Sequence, residues 1–343
     1  MMASSFTTAA IDHPVGHGGR RPAAARAQWR PCRPPFPIGV HGPRRMARRA
    51  TSSSDDDGMT LVEERASDFG TLQVFRAADD YRDASFAGAT LLMRAHTPDA
   101  VLSEYRVGAD GSGDEVTGGV FDLFATLPPL LSESEADADD PIVILGLGAG
   151  TCARLLAALY PHEKRRVVGW ELDPIIVDLA RIHFGMSELE ASGRLTVRCG
   201  DAFEGIRQAA AGGGRCAGVI VDIFDEQSRV PPSLAQMKTW HNIAAALVPG
   251  GRVIANISTG RGKGASMELA VAAAEAAAIT CGGGEACLWR SGAQGIWNEV
   301  VLTGPPPPAE WADRLPPKLR HLTGDWHHVK APPGVEHGWL MES

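Results

Sequence analysis

The sequence lacks what a membrane or nucleic-acid-binding protein would need. Its 343 residues hold no run of about 18 strongly apolar residues, so no membrane span is expected. The longest small-apolar stretch, Ala270 to Ile279, is mostly alanine and is broken by Glu275. No Cys-x-x-Cys pair occurs among Cys32, Cys152, Cys199, Cys216, Cys281 and Cys287. These cysteines are read as unpaired thiols, with a redox pair at Cys281 and Cys287 as the functional alternative. The histidines are scattered, and His327-His328 has no third partner at ligand spacing, so no metal site is expected. Net positive charge is confined to the front of the chain. Net charge is −8, yet residues 1–50 carry nine arginines against one acid, Asp12, which leaves −16 on the rest. Binding by counterion release needs a surplus of clustered cations on the folded part, so a body of that sign excludes a basic nucleic-acid-binding domain.

What is present begins with that leader. Residues 1–55 are rich in arginine, serine and threonine, poor in acids, and lack the apolar core of a secretory signal. The opening Met-Ala-Ser-Ser predicts a chloroplast transit peptide leading to the stroma, with a mitochondrial one as runner-up and a disordered basic tail as the bland alternative.

From residue 56 to 131 the chain predicts a small β-rich region, with strands at Thr71–Arg76, Thr90–Arg94 and Leu102–Val107. A helix is expected over Val120–Leu131, ended by Pro128-Pro129. Residues 132–140 form an acidic linker. After Pro141 strands and helices alternate, the pattern of a doubly wound, mostly parallel α/β sheet covered on both faces. This unit runs over 141–304. It has strands at Ile142–Leu145, Arg166–Trp170, Leu195–Arg198, Gly218–Val221 and Val253–Ile257, then a closing antiparallel pair near Glu285–Trp289 and Trp297–Leu302. Helices are expected over Cys152–Tyr160, Ile175–Phe184, Ala202–Ala211, Ser233–Leu247 and Met267–Thr280. The tail 305–343 is expected to be peripheral from Trp311 onward.

The chemistry should sit after the strands. Gly146-Leu-Gly148-Ala-Gly150 follows the first of them and opens a helix, where glycines allow a sharp turn and close backbone approach to a ligand. A tight turn without ligand explains the same residues. Glu171, 25 residues beyond Gly146, ends the next strand, where a carboxylate can accept both hydroxyls of a ribose. A hydride-transfer enzyme fits these two features. Gly200-Asp201-Ala202 after the third strand and Leu247-Val-Pro-Gly-Gly251 before the fifth favour a methyltransferase-type fold instead.

These motifs, with Glu171-Leu-Asp173-Pro174 and Asp222-Ile-Phe-Asp225, make the run from Pro141 to about Gly304 resemble the class I S-adenosylmethionine-dependent methyltransferase superfamily. Within it the chain is similar to the spermidine synthase-like branch of plant, plastid type. The resemblance implies that Gly146, Gly148 and Gly150 line the methionine side of S-adenosylmethionine or its decarboxylated form, that Glu171 binds the ribose, and that Asp201 and Ala202 meet the adenine. It places Asp222 and Asp225 at the reaction centre, orienting an amine and taking its proton. It also implies polyamine biosynthesis, a small-molecule acceptor, and a homodimer.

The sequence departs from that branch in its acceptor half. Asp222-Ile-Phe-Asp225-Glu226 stands where the branch has Asp-Ser-Ser-Asp-Pro. Val120-Phe121-Asp122 replaces its Tyr-His-Glu, and nothing between Thr90 and Gly119 matches the segment that grips the aminopropyl amine. Two readings follow. One is a transferase moving an aminopropyl or methyl group to a nucleophile held by Asp222. The other is a nucleotide-binding scaffold that kept the fold and lost the polyamine site.

Overall fold

The computed structural model describes residues 58–106, 116–131, 140–258, 288–291, 293, 296, 298–324 and 326–328. The leader, most of the acidic linker, the alanine-rich 267–280 segment, Cys281 and Cys287 lie outside the described residues.

Strands β1 (Met59–Ser67), β2 (Gly70–Ala77), β3 (Thr90–Arg94) and β4 (Thr97–Tyr105) form an antiparallel sheet in chain order. β2 alternates, burying Leu72 and Val74 on one face, as a half-covered strand should. β1 is an additional strand beyond the three expected. It is an edge strand carrying Glu63, Glu64 and Arg65, so it has no apolar alternation to read. The Val120–Leu131 helix is shorter than expected: α1 spans Val120–Phe124, and Pro128–Leu130 is a separate 3-10 turn. Each proline lacks the N–H that would continue the α-helical ladder.

The second sheet contains β5 (Ile142–Leu145), β6 (Val167–Glu171), β7 (Leu195–Cys199), β8 (Cys216–Val221), β9 (Leu247–Ser258), β10 (Leu288–Ser291), β11 (Glu299–Thr303) and β12 (Trp326–His328). Its order is β12-β10-β11-β9-β8-β5-β6-β7, parallel from β9 to β7 and antiparallel at the β11, β10 and β12 edge. Helices α2 (Thr151–Leu159), α3 (Pro174–His183), α4 (Met186–Ala191), α5 (Ala202–Ala211) and α6 (Met237–Ala246) fill the crossovers. β5 shows why both faces are covered. Ile142 and Ile144 join the core beneath α2, α3 and the N-terminal sheet, while Val143 and Leu145 join the core beneath α5 and α6. The chain leaves β5 in one direction toward β6 and β7, and returns on the other side as β8. That reversal opens a crevice at the carboxyl ends of β5 and β8, where open α/β sheets bind ligands.

Three further expectations need correction. The Leu247–Gly251 segment, read as a turn before the strand, is the first part of β9. There Cys216 faces Leu247 while Gly218 already faces Arg252, so the extra residues bulge out of the ladder. The C-terminal segment is not peripheral. Trp311 starts a short helix α7 (Trp311–Arg314), is 2% exposed and donates its indole N–H to the Thr126 carbonyl at 3.1 Å. Leu315, Leu319 and Leu322 enter the same core, and β12 extends the sheet. Their partners lie far away in sequence, which local periodicity does not reveal. Finally, Cys152 and Cys216 are free and buried, but Cys199 is disulfide-bonded, against the expectation of unpaired thiols. Pairing depends on which residues the fold brings together, not on sequence spacing.

No helix among the described residues is long and apolar enough to cross a membrane, and none of their His, Cys, Asp and Glu side chains cluster as metal ligands.

Candidate functional site

A cavity of about 480 Å³ occupies the crevice beyond β5, β6 and β8. Its floor begins with the glycine loop. The amides of Gly146 and Leu147 both donate to the Trp170 carbonyl, at 3.1 and 2.7 Å, so the chain turns sharply away from β5. Gly146 has φ of 90°, and a Cβ there would overlap the Asp222 carbonyl oxygen. Gly148 (φ 55°) donates to Glu171 Oε2 at 2.8 Å, and a Cβ on it would lie 2.7 Å from Ser103 Oγ. Gly146 and Gly148 line the cavity; Gly150 does not. Gly150 instead caps α2 in the left-handed region and faces Met186 and Arg154.

The N-terminal sheet is fastened to this loop. Ser103 Oγ accepts from the Ala149 amide at 2.8 Å, and Thr151 Oγ1 exchanges bonds with the Glu104 backbone at 2.8 and 3.0 Å. Arg154, beneath them, donates to the carbonyls of Ala149, Phe184 and Glu104. The β3–β4 hairpin is thereby held over the cavity. At its tip a His96 ring nitrogen lies 2.6 Å from the Glu226 carbonyl, joining the hairpin to the loop after β8.

The four acids singled out by sequence take different places. Glu171, at the end of β6, is 8% exposed, and its two oxygens accept from the amides of Gly148 and Asp173. Burial pushes its carboxyl above the usual range, and those amide bonds pull against it. Asp201 caps α5 by accepting from the Phe203 and Glu204 amides, at 2.8 and 3.3 Å, with Ala202 behind it on the cavity wall.

Asp222 closes β8. Its amide donates to the Leu145 carbonyl at 2.8 Å, and its Oδ1 accepts from Asn256 Nδ2 at 3.0 Å. It is half-buried in the cavity wall, and desolvation by the surrounding protein raises its carboxyl to about 6; the Asn256 bond moderates the rise. Asn256 was not among the sequence candidates. Its signal was a lone amide in the otherwise apolar Val253-Ile-Ala-Asn-Ile257 strand.

Asp225 lines the same cavity but is engaged as a loop clamp. Its Oδ1 accepts from the Gln227 and Arg229 amides at 2.9 and 2.8 Å, and its Oδ2 accepts from Arg229 Nε at 3.0 Å. Burial would raise it, but the Arg229 amide and guanidinium outweigh that and hold it below the usual carboxylate range.

The rest of the cavity wall is mostly apolar, with Ala100, Val101, Val120, Phe121, Ile223 and Phe224. Asp122, the acid left where the resemblance expects a Tyr-His-Glu segment, points elsewhere. It accepts from Thr117 N, Thr117 Oγ1 and Gly118 N and closes the turn before α1. The N-terminal sheet adds Phe69 and Arg94, neither of them foreseen from sequence.

No protein-family model matches the chain, and comparison with curated proteins finds no match. Solved structures do share its fold. A probable spermidine synthase from Corynebacterium glutamicum ATCC 13032 aligns with a TM-score of 0.54 at 18% identity, covering 78% of this chain and 88% of its own. A spermidine synthase in complex with the transition-state analogue AdoDATO aligns with a TM-score of 0.50 at 13% identity, covering 79% and 82%. The architecture is the class I methyltransferase, Rossmann-like fold with a β-rich N-terminal region.

Proposed function

We propose that the chain is a group transferase that uses S-adenosylmethionine or its decarboxylated form as co-substrate and holds a small nucleophile at Asp222. The observation that carries this reading is the joining of two halves in one cavity. A glycine loop with a ribose-type carboxylate, Glu171, lies against a desolvated carboxylate, Asp222, across a contact too tight for any side chain on Gly146.

The nucleotide side fits such a co-substrate. Gly146 and Gly148 leave backbone accessible, Glu171 offers acceptors at the β6 end, and Leu172, Ala202 and Phe203 supply apolar wall for a flat ring. The co-substrate supplies an electrophilic carbon on a sulfonium, whose C–S bond breaks with its electron pair staying on sulfur. This chain's contribution is alignment and proton handling. Asp222 binds the acceptor's N–H or O–H, Asn256 fixes the carboxylate's direction, and the apolar walls keep water out. As the acceptor bonds to carbon, its proton passes to Asp222. Alkyl transfer needs in-line geometry more than strong acid–base groups, so a sparsely polar acceptor pocket is sufficient.

A polyamine acceptor is the finer version of this proposal. The cluster Asp222, Asp225 and Glu226 supports it by charge, whereas the engaged Asp122 and the apolar Val120 and Phe121 weigh against it. The leader 1–55 we assign as an organelle address, plastid before mitochondrion; imaging of a fluorescent protein fused to it tests this. Calorimetric titration of the full chain with S-adenosylmethionine and its decarboxylated form tests the function. Binding of at least one, lost in Glu171→Ala, is expected, and absence of binding to both overturns the proposal.

A further inference from the structure

Arg94, the last residue of β3, stands in the cavity wall and is 8% exposed. Its Nη1 donates to the Phe69 carbonyl at 2.5 Å, while its Nε is buried without a partner. Among the described residues it has no carboxylate at ion-pair distance, and it is the only lysine or arginine lining the cavity. A guanidinium does not shed its charge, and removing one from water is costly unless an anion or several acceptors replace the water. Arg154 and Arg252, equally buried, are met by carbonyls: Ala149, Phe184 and Glu104 for the first, Thr303 and Pro305 for the second. Arg198, which also has unpartnered nitrogens, does not line the cavity.

The position of Arg94 says which anion would meet it. β3 pairs with β4, where Leu92 lies opposite Ser103. Ser103 in turn holds the Ala149 amide and presses on Gly148. Leu92 and Arg94 are two residues apart on a strand, and Leu92 faces the main core. Arg94 shares that face, opposite Leu72 of β2, and enters the cavity beside the hairpin tip that carries His96. The acids of the cavity, Asp222, Asp225 and Glu226, are suited to a cation, which leaves Arg94 to answer the one anionic group of the co-substrate.

Resting on the functional reading above, we propose that Arg94 binds the methionyl carboxylate of the co-substrate, so the site takes S-adenosylmethionine with its carboxylate intact in preference to the decarboxylated form. A charge-assisted, planar contact of this kind discriminates strongly, because the wrong ligand leaves a buried cation unanswered.

The experiment is a calorimetric comparison of the two nucleotides on the full-length protein, on Arg94→Met and on Arg94→Lys. The wild type is expected to bind S-adenosylmethionine roughly tenfold or more tightly than the decarboxylated form. Arg94→Met should erase that preference by weakening S-adenosylmethionine alone, and Arg94→Lys should keep part of it. If Arg94→Met does not fold, the wild-type ratio and the ratio in Arg94→Lys decide. Equal affinity for both nucleotides in the wild type, or an equal loss of both in Arg94→Met, overturns the Arg94 assignment and leaves the transferase reading standing. Failure of the wild type to bind either nucleotide overturns both.

Discussion

Gly146 and Asp222 are in contact through their backbones: the Cα of Gly146 has room for hydrogen but not for a Cβ, because the Asp222 carbonyl oxygen occupies that space. The ends of β5 and β8 are thereby drawn together, and the glycine loop and the Asp222 carboxylate share one floor. The predicted consequence is that Gly146→Ala both strains a residue at φ of 90° and forces β5 and β8 apart. Urea denaturation should show a loss of about 2 kcal/mol or more, with nucleotide binding abolished. A variant with wild-type stability and binding would show that the contact is dispensable.

Asp222 couples to pH in two ways. As proton acceptor it must be ionised, so kcat/KM should rise with pH through about 6 and level off above. Asn256 favours the ionised form, so Asn256→Ala should move that limb to higher pH. Stability runs in the opposite direction. The folded state keeps the proton up to about pH 6, whereas the unfolded chain gives it up near 3.8, so this group's contribution is full below about pH 4 and is lost as pH rises to 6. Asp222→Asn should therefore match the wild type in stability near pH 4 and exceed it at pH 7, while turnover disappears. Equal stability at both pH values would show that the carboxylate is not desolvated.

The parallel-sheet half of the molecule was legible from sequence because each of its elements is locally self-consistent. Ile142–Leu145 is apolar on both faces, and the Ala202–Ala211 helix has the bounds expected of it, with Asp201 capping it in addition to standing at the cavity. What was illegible depended on distant partners. The roles of Asp222 and Asp225 look alike in sequence, and Arg229 and Asn256 separate them only in three dimensions. Arg94 carries no motif; its meaning lies in the carboxylate it does not meet. Asp122 sits at the position expected to close the amine pocket, and its amide partners turn it away.

Trp311 illustrates the same point for stability. It fills the space beside Thr126 and the Pro128–Leu130 turn, 185 residues away in sequence at its hydrogen bond, and lies against Trp326 at 5.8 Å between ring centroids. Trp311→Ala removes a fully buried aromatic and orphans the Thr126 carbonyl, so a loss of roughly 3–5 kcal/mol is expected. Thermal denaturation measures it. A loss of no more than ~0.5 kcal/mol, the size expected of a surface substitution, would place the segment outside the core.

Asp225 gives the final prediction, because its two candidate roles differ in what its partner does. A residue that positions an amine through its own carboxylate should be irreplaceable, and Arg229→Ala should leave most of its work intact. A clamp depends on both ends, though unequally: Asp225 holds two amides and the Arg229 side chain, and that loop carries Glu226 to its contact with His96 on the β3–β4 hairpin. The pair is largely exposed on the arginine side, so its cost to global stability should stay within ~1 kcal/mol. Asp225→Ala should then raise the acceptor's KM, Arg229→Ala should raise it by a smaller factor because the two amide bonds survive, and the double variant should add little to Asp225→Ala alone. Since Asp222 remains in place, kcat should change far less than in Asp222→Asn. If Asp225→Ala instead abolishes kcat while Arg229→Ala is silent, Asp225 acts on the acceptor directly and the reaction centre holds two carboxylates.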